Sequence, residues 1–209
     1  MKRFLMLSAA LAATALAASF AGFSVKPTGE QKLDITTGVT VLPQGGTVQD
    51  AKNGVNVDAK WIEFKDGDYL KAKSASLRTE QGGSLSAAQV DYNAKSGLLN
   101  ASGNLQYTDA RLKNLTAKSV VMETQRQLAV ASGGVRGTQP GLQADTVVVD
   151  YGNNRALLYG NYRWENGKTR LRGDKDNSAL LVSFADPNNL KVSTKVPADV
   201  LKAYSAYLK

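Results

Sequence analysis

The sequence predicts an all-β domain, a β-sandwich, jelly roll or β-solenoid, on three observations. The first is a repeat: Leu85-Ser86-Ala87, Leu115-Thr116-Ala117 and Leu142-Gln143-Ala144 each lead to a valine three residues on (Val90, Val120, Val147) and a glycine sixteen on (Gly103, Gly133, Gly160). Looser copies open at Val57 and Leu171, so successive openings lie 28, 30, 27 and 29 residues apart. A period in this range marks one supersecondary unit used repeatedly, because a single copy cannot bury its own apolar face. The second is a two-residue alternation inside each copy, the mark of a strand with one buried and one wet face. The third is turn chemistry between the alternating runs, with no helical stretch until the C-terminus.

The elements follow in order. Lys2-Arg3 precedes an uncharged run from Phe4 to Val25, and the small residues around Ser19-Phe20-Ala21 complete the pattern of a secretory signal peptide cut after Ala21. The same run is long enough to span a bilayer as an uncleaved anchor, for which about 20 residues suffice. Residues 22–32 carry Gly, Ser, Pro, Thr, Glu and Lys and read as a tether. A first strand is expected over Leu33–Leu42, closed by Pro43-Gln44-Gly45-Gly46. Val55–Phe64 follows, with Val57, Ala59, Ile62 and Phe64 at the apolar positions of the repeat. Asp66-Gly67-Asp68 marks a hairpin turn, and Tyr69–Thr79 returns as a strand.

The next copies show the period most plainly. Leu99, Ala101, Gly103, Leu105 and Tyr107 form one face of a strand and Asn100, Ser102, Asn104 and Gln106 the other. Ala156, Leu158, Gly160, Tyr162 and Trp164 repeat this face, although Leu157 and Tyr159 fall on the polar side. Between each anchor alanine and its valine the parity switches, which predicts a bulge where a strand passes from one sheet of a sandwich to the other. The repeated glycine is expected where the sheet bends, because a side chain there would strike the neighbouring strand; close approach of a ligand to the backbone is the alternative. Asn93-Ala94-Lys95-Ser96-Gly97, Gln139-Pro140-Gly141, Gly152-Asn153-Asn154 and Glu165-Asn166-Gly167-Lys168 supply the turns. After Asp186-Pro187-Asn188-Asn189 a short strand over Leu190–Thr194 is expected. From Pro197 an amphipathic helix follows, with Val200, Leu201, Tyr204 and Leu208 on one face. A helix this short is marginal alone, so it is expected to dock, over one end of the sandwich, the alternative being that its apolar face is the contact for a membrane or a partner.

Composition removes whole classes of chemistry. The 209 residues contain no Cys and no His, which excludes disulfides, thiolate or imidazole metal sites, and catalysis by a Cys nucleophile or a His base. Asp91, Asp145 and Asp150 follow the repeat and read as a solvated strand face, and Gly133-Gly134 lacks the Lys-Ser or Lys-Thr pair of a phosphate loop. No catalytic residue, metal site or cofactor is expected, and the protein reads as a non-enzyme. The formal charge is +8. Arg111 to Lys175 holds eleven basic against five acidic residues, which points to anionic partners. Export argues for lipid headgroups and phosphates and against nucleic acid.

The runs Ala87-Ala88-Gln89-Val90-Asp91-Tyr92 to Ala101-Ser102-Gly103-Asn104-Leu105, and Ala144-Asp145-Thr146-Val147-Val148-Val149-Asp150-Tyr151 to Tyr159-Gly160-Asn161-Tyr162, resemble the OstA-like family. That family includes the periplasmic lipopolysaccharide-transport proteins of the LptA and LptC type. The resemblance covers about residues 33–184. It implies an open antiparallel β-jelly roll of two sheets, V-shaped in section, whose inner groove receives acyl chains. It also implies edge-to-edge docking with other such jelly rolls, or with itself. On this reading the chain divides into a signal peptide (1–21), a tether (22–32), the jelly roll (33–194) and a C-terminal amphipathic helix (195–209). Ile62, Phe64, Leu99, Ala101, Leu105, Tyr107, Val120, Met122, Val147, Val149, Leu158, Tyr162 and Trp164 are then the candidate lipid-binding residues, and lipopolysaccharide or another anionic envelope lipid the ligand. The competing expectation is a structural or interaction protein of the envelope with a closed, dry β core, in which the same side chains are plain packing.

Overall fold

A computed structural model describes residues 18–20, 22–50, 55–79, 82–109, 112–184 and 190–208. Five strands open the chain: β1 (Ala18–Phe20), β2 (Phe23–Pro27), β3 (Lys32–Asp34), β4 (Val39–Leu42) and β5 (Gly46–Asp50). Seven long strands follow: β6 (Val55–Lys65), β7 (Tyr69–Thr79), β8 (Ser84–Asn93), β9 (Leu98–Thr108), β10 (Leu115–Glu123), β11 (Leu128–Thr138) and β12 (Gly141–Asp150). The chain ends in β13 (Arg155–Tyr159), β14 (Tyr162–Asn166), β15 (Thr169–Gly173), β16 (Ala179–Ser183), β17 (Lys191–Ser193) and the helix α1 (Ala198–Tyr204). Among the described residues these seventeen strands hydrogen-bond into one antiparallel sheet. Its ends do not pair with each other, so the jelly roll is open and is not a closed barrel.

The continuous sheet is folded in two. From β8 onward the long strands break register near their middle: β8 between Ser86 and Gln89, β10 between Ala117 and Ser119, and β11 between Ser132 and Val135. On either side of the break a strand has different neighbours. Val55–Ala59 of β6 pairs with β5 whereas Ile62–Lys65 pairs with β4, and Gly141–Gln143 of β12 pairs with β14 whereas Thr146–Asp150 pairs with β13. The sheet therefore forms two layers, each holding one half of every long strand. The layer that starts at β1, β2 and β5 and ends at β15 is called layer I; the layer from β3 and β4 to β17 is layer II.

The repeated glycines sit on the fold line, at φ of 73° for Gly103 and 86° for Gly160. Each faces the residue that follows an anchor alanine on the preceding strand. A Cβ on Gly103 would stand 2.8 Å from the Ala88 Cβ, and one on Gly160 would overlap the Asp145 carboxylate. The expected collision at the bend is thus what requires glycine there.

Three apolar clusters hold the layers. The largest fills the C-terminal half of the space between the layers, from Ala87, Leu105, Val135 and Trp164 on layer I to Val120, Val147, Leu158 and Leu180 on layer II. A second fills the N-terminal half around Phe20, Val25, Leu42, Ile62 and Phe64. Val90 packs against both. The third lies on the outer side of layer II, where Leu128, Val130, Val148 and Leu157 meet Val200 and Tyr204 of α1.

The structure corrects three boundaries. The expected tether contains β2, whose Val25 is fully buried and pairs with Val48 of β5; Phe23 and Val25 alternate, but five residues ending in a proline are too few for the pattern to stand out. Leu33–Leu42 is a hairpin rather than one strand, because Asp34 accepts hydrogen bonds from the Thr36 and Thr37 amides and turns the chain before β4. The helix is seven residues followed by a 3-10 turn, Ser205–Tyr207, and it lies on the outer face of layer II, not over an end of the sandwich. Most of the expected signal peptide, residues 1–17 and Ala21, lies outside the described residues.

Candidate functional site

The inner face between the two layers is built by strand alternation and is apolar along its rows. In layer II the deep row runs Ala72, Val90, Ala101, Val120, Ala131, Val147, Leu158, Leu180 across eight strands. Two residues nearer the opening runs a second row: Leu70, Tyr92, Leu99, Met122, Ala129, Val149, Ala156, Val182. Layer I faces them with Val57, Leu77, Leu85, Tyr107 and Leu115 in one row and with Leu142, Trp164 and Leu171 in another. No charged side chain interrupts any of these rows.

All thirteen candidate residues face inward, but they do not share one environment. Ala101, Leu105, Val120, Val147, Leu158, Tyr162 and Trp164 are buried in the C-terminal cluster, and Ile62 and Phe64 in the N-terminal one. Leu99, Tyr107, Met122 and Val149 are only partly buried. They sit toward the mouth, where Leu85, Ala156 and Leu171 join them. Reading parity outward from the repeat would have found Leu85, Tyr92 and Ala156 as well, since Leu85 stands two residues from the anchor Ala87, Tyr92 two from the repeat valine Val90 and Ala156 two from the candidate Leu158, each on the same strand face.

The outer faces carry the polar chemistry. On layer I a cross-strand row passes from Gln106 through Thr116, Arg136, Gln143 and Arg163 to Arg172. Arg163 and Arg172 stand directly opposite one another, and Arg172 meets Asp174 at 3.3 Å. On layer II, Asp150 corrects the expectation of a solvated carboxylate: it is 5 % exposed beneath α1. It accepts hydrogen bonds from the Tyr204 hydroxyl, the Asn153 amide (2.9 Å) and the Asn153 side chain (2.8 Å), while Arg155 lies 3.4 Å away and donates to the Tyr204 oxygen at 2.8 Å. Burial pushes the Asp150 carboxyl up, but these hydrogen bonds and the Arg155 charge outweigh it and hold it below the usual carboxylate range. Burial and the bond to Asp150 raise the Tyr204 phenol. Tyr207 repeats the arrangement, donating to Glu123 and accepting from Arg126 at 2.6 Å. Asp145 stays exposed and accepts the Asn161 amide at 2.8 Å.

Two surface depressions lie away from the inner face. One of about 480 Å³ is lined by Leu33, Val39, Glu63 and Tyr69 beside the β3–β4 hairpin, and one of about 640 Å³ by Lys118, Arg136, Asp145 and Tyr207 at the outer bend. Among the described residues no group of three or more acidic side chains is placed to hold a metal ion, and no helix is long and apolar enough to cross a membrane. The chain matches no protein-family model, and no curated protein matches it.

Proposed function

We propose that this protein is an exported lipid-binding module of the cell envelope, holding acyl chains against the inner face of an open jelly roll. The observation that carries the reading is the apolar mouth: Leu85, Leu99, Tyr107, Met122 and Val149 are inward-facing, uncharged and only partly buried in a sandwich whose edges do not close. Large apolar side chains left half-wet in a row mark a surface that another apolar group covers. The excess of Lys and Arg along residues 111–175, with the Arg136, Arg163 and Arg172 row outside layer I, suits phosphate or carboxylate headgroups. The sequence resemblance to the OstA-like family supports lipopolysaccharide or a related anionic envelope lipid as the ligand, and strand edges as the route to partner jelly rolls or to a second copy.

A specific observation also favours the competing reading. Nine of the thirteen candidate side chains are buried, Leu158 and Ala101 to 1 %, as in a dry core that needs no ligand. Native mass spectrometry of the protein extracted from envelopes separates the two. A retained acyl lipid supports transport or storage of lipid, and a bare protein mass across several gentle detergents leaves a structural role.

A further inference from the structure

The bends that carry the repeated glycine are built alike, and the middle one departs from the others at two places. In each, the residue after the anchor alanine lies over the glycine: Ala88 over Gly103, Lys118 over Gly133 and Asp145 over Gly160. At the last bend the Asp145 carboxylate accepts the amide of the residue past the glycine, Asn161, at 2.8 Å. At the middle bend the residue in the place of Asp145 is Lys118, which carries no acceptor, and the residue in the place of Asn161 is Gly134. Nothing lies within 4 Å of the point where a Gly134 side chain would begin. One copy of the bend thus supplies its own carboxylate, and the other has a cation and an open space in the same position.

That space is the depression of about 640 Å³ at the outer bend. Lys118 and Arg136 line it, and among the described residues neither forms an ion pair. Asp145 lines it too, but its carboxylate is engaged by the Asn161 amide and side chain. Lys118 and the Gly133-Gly134 pair fall in the register breaks of β10 and β11. Bulges of this kind re-aim side chains and backbone amides, and such concavities take anions. A carboxylate ligand would need only one of the two cations. A phosphate monoester, with a charge of about −1.5 to −2 at pH 7 and three acceptor oxygens, suits both. Ser132 and Thr146 on the same surface offer hydroxyls to a hydroxylated body attached to it.

We infer that this bend is a binding site for a phosphate monoester on a hydroxylated carrier, with Lys118 and Arg136 as its cations, beside the Gly134 backbone. The phosphate stands where the Asp145 carboxylate stands in the next copy. No helix N-terminus takes part, so the site is distinct from the phosphate loop for which Gly133-Gly134 lacks the following residues. It lies outside the fold and does not depend on lipid at the inner face. The same chemistry is carried by a soluble phosphorylated sugar and by a lipid headgroup that ends in phosphate.

The test is titration of the protein purified from cells expressing the full chain with glucose phosphate, followed through the Gly133 amide signal by NMR, and co-sedimentation with phosphatidic acid vesicles. Saturable binding is expected in at least one of the two. Lys118→Ala and Lys118→Asp install the residues that the first and last copies carry at this position, and Gly134→Asn does the same one residue past the glycine. All three should therefore keep the fold, as checked by circular dichroism. Lys118→Asp should weaken binding about tenfold or more, the loss of a charge-assisted hydrogen bond, and Gly134→Asn should weaken it by filling the space. Lys168→Ala removes the same charge as Lys118→Ala from the exposed β14–β15 turn and should leave binding unchanged. Binding of the sugar phosphate with this dependence on Lys118 identifies a soluble ligand, and binding of vesicles with it identifies a headgroup. No saturable binding to either probe, equal losses in Lys118→Ala and Lys168→Ala, or undiminished binding by folded Lys118→Asp overturns the site.

Discussion

Glycine and aspartate make opposite demands at the two ends of a repeat. Gly103 is needed because its φ is positive and Ala88 fills the space where a side chain would go. Gly103→Val is expected to cost about 1–3 kcal/mol in backbone strain, and more through displacement of Ala88, as read from urea unfolding. Gly134 shares the positive φ but faces open space, so Gly134→Ala should cost less. This glycine pattern was legible in the sequence because the repeat brings it round at a fixed interval. Asp150 was not, since its sequence neighbours place it on an ordinary outward strand position and its partner Tyr204 lies 54 residues on. Its pKa is lowered in the folded protein, so the stability it contributes is present above the ordinary aspartate value of about 3.9 and is lost as pH falls through the lower folded value. Asp150→Asn should therefore flatten the acid limb of a melting-temperature profile. Tyr204 has the opposite sign: its raised phenol stabilises below its ordinary value of about 10 and ceases to do so as pH rises through the higher folded value, so Tyr204→Phe should flatten the alkaline limb.

At the scale of the element, the C-terminal helix explains the residues that broke the alternation. Leu128-Ala129-Val130-Ala131, Val147-Val148-Val149 and Leu157-Leu158 are continuous apolar runs, the pattern of strands covered on both faces. One parity of each run faces the inner core and the other faces α1. The amphipathic character of the helix was readable from Val200, Leu201, Tyr204 and Leu208, but its seat was not, because a helix face says that something covers it without saying what. The runs in β11, β12 and β13 were the available signal. Removing residues 196–209 strips Val200 and Tyr204 from Val130, Val148 and Leu157. Each large side chain is worth about 1.5–3 kcal/mol when fully buried, so the truncated protein should unfold at lower denaturant and self-associate through the bared outer face in sedimentation. Because the helix covers the outside of layer II, uptake of a fluorescent fatty acid at the inner face should be unchanged.

For the whole molecule, the decisive property is that one folded sheet has a deep, dry floor and a half-wet mouth. The strands, their turns and the switch of face were legible from local period, whereas the depth of each inward residue depends on how far the two layers close over it, which no local pattern encodes. Leu105 and Met122 measure that depth from the two ends. Leu105 is 2 % exposed on the floor, so Leu105→Asp places an unpaired carboxylate in an apolar interior, at a cost of several kcal/mol, and is expected to unfold the protein whichever role the inner face has. Met122 lies in the mouth row between Leu99 and Ala129 and keeps contact with water. A carboxylate at that position stays solvated, so Met122→Asp is expected to melt within a few degrees of the parent. Under the proposed lipid-binding role, acyl chains entering between the layers would have to pass this row, and a charge there requires them either to desolvate it or to stay out. Lipid retained by Met122→Asp in native mass spectrometry should therefore fall sharply, with the parent and Met122→Leu equal to each other. Full retention in a folded Met122→Asp protein would place the lipid elsewhere and leave the inner face as packing alone.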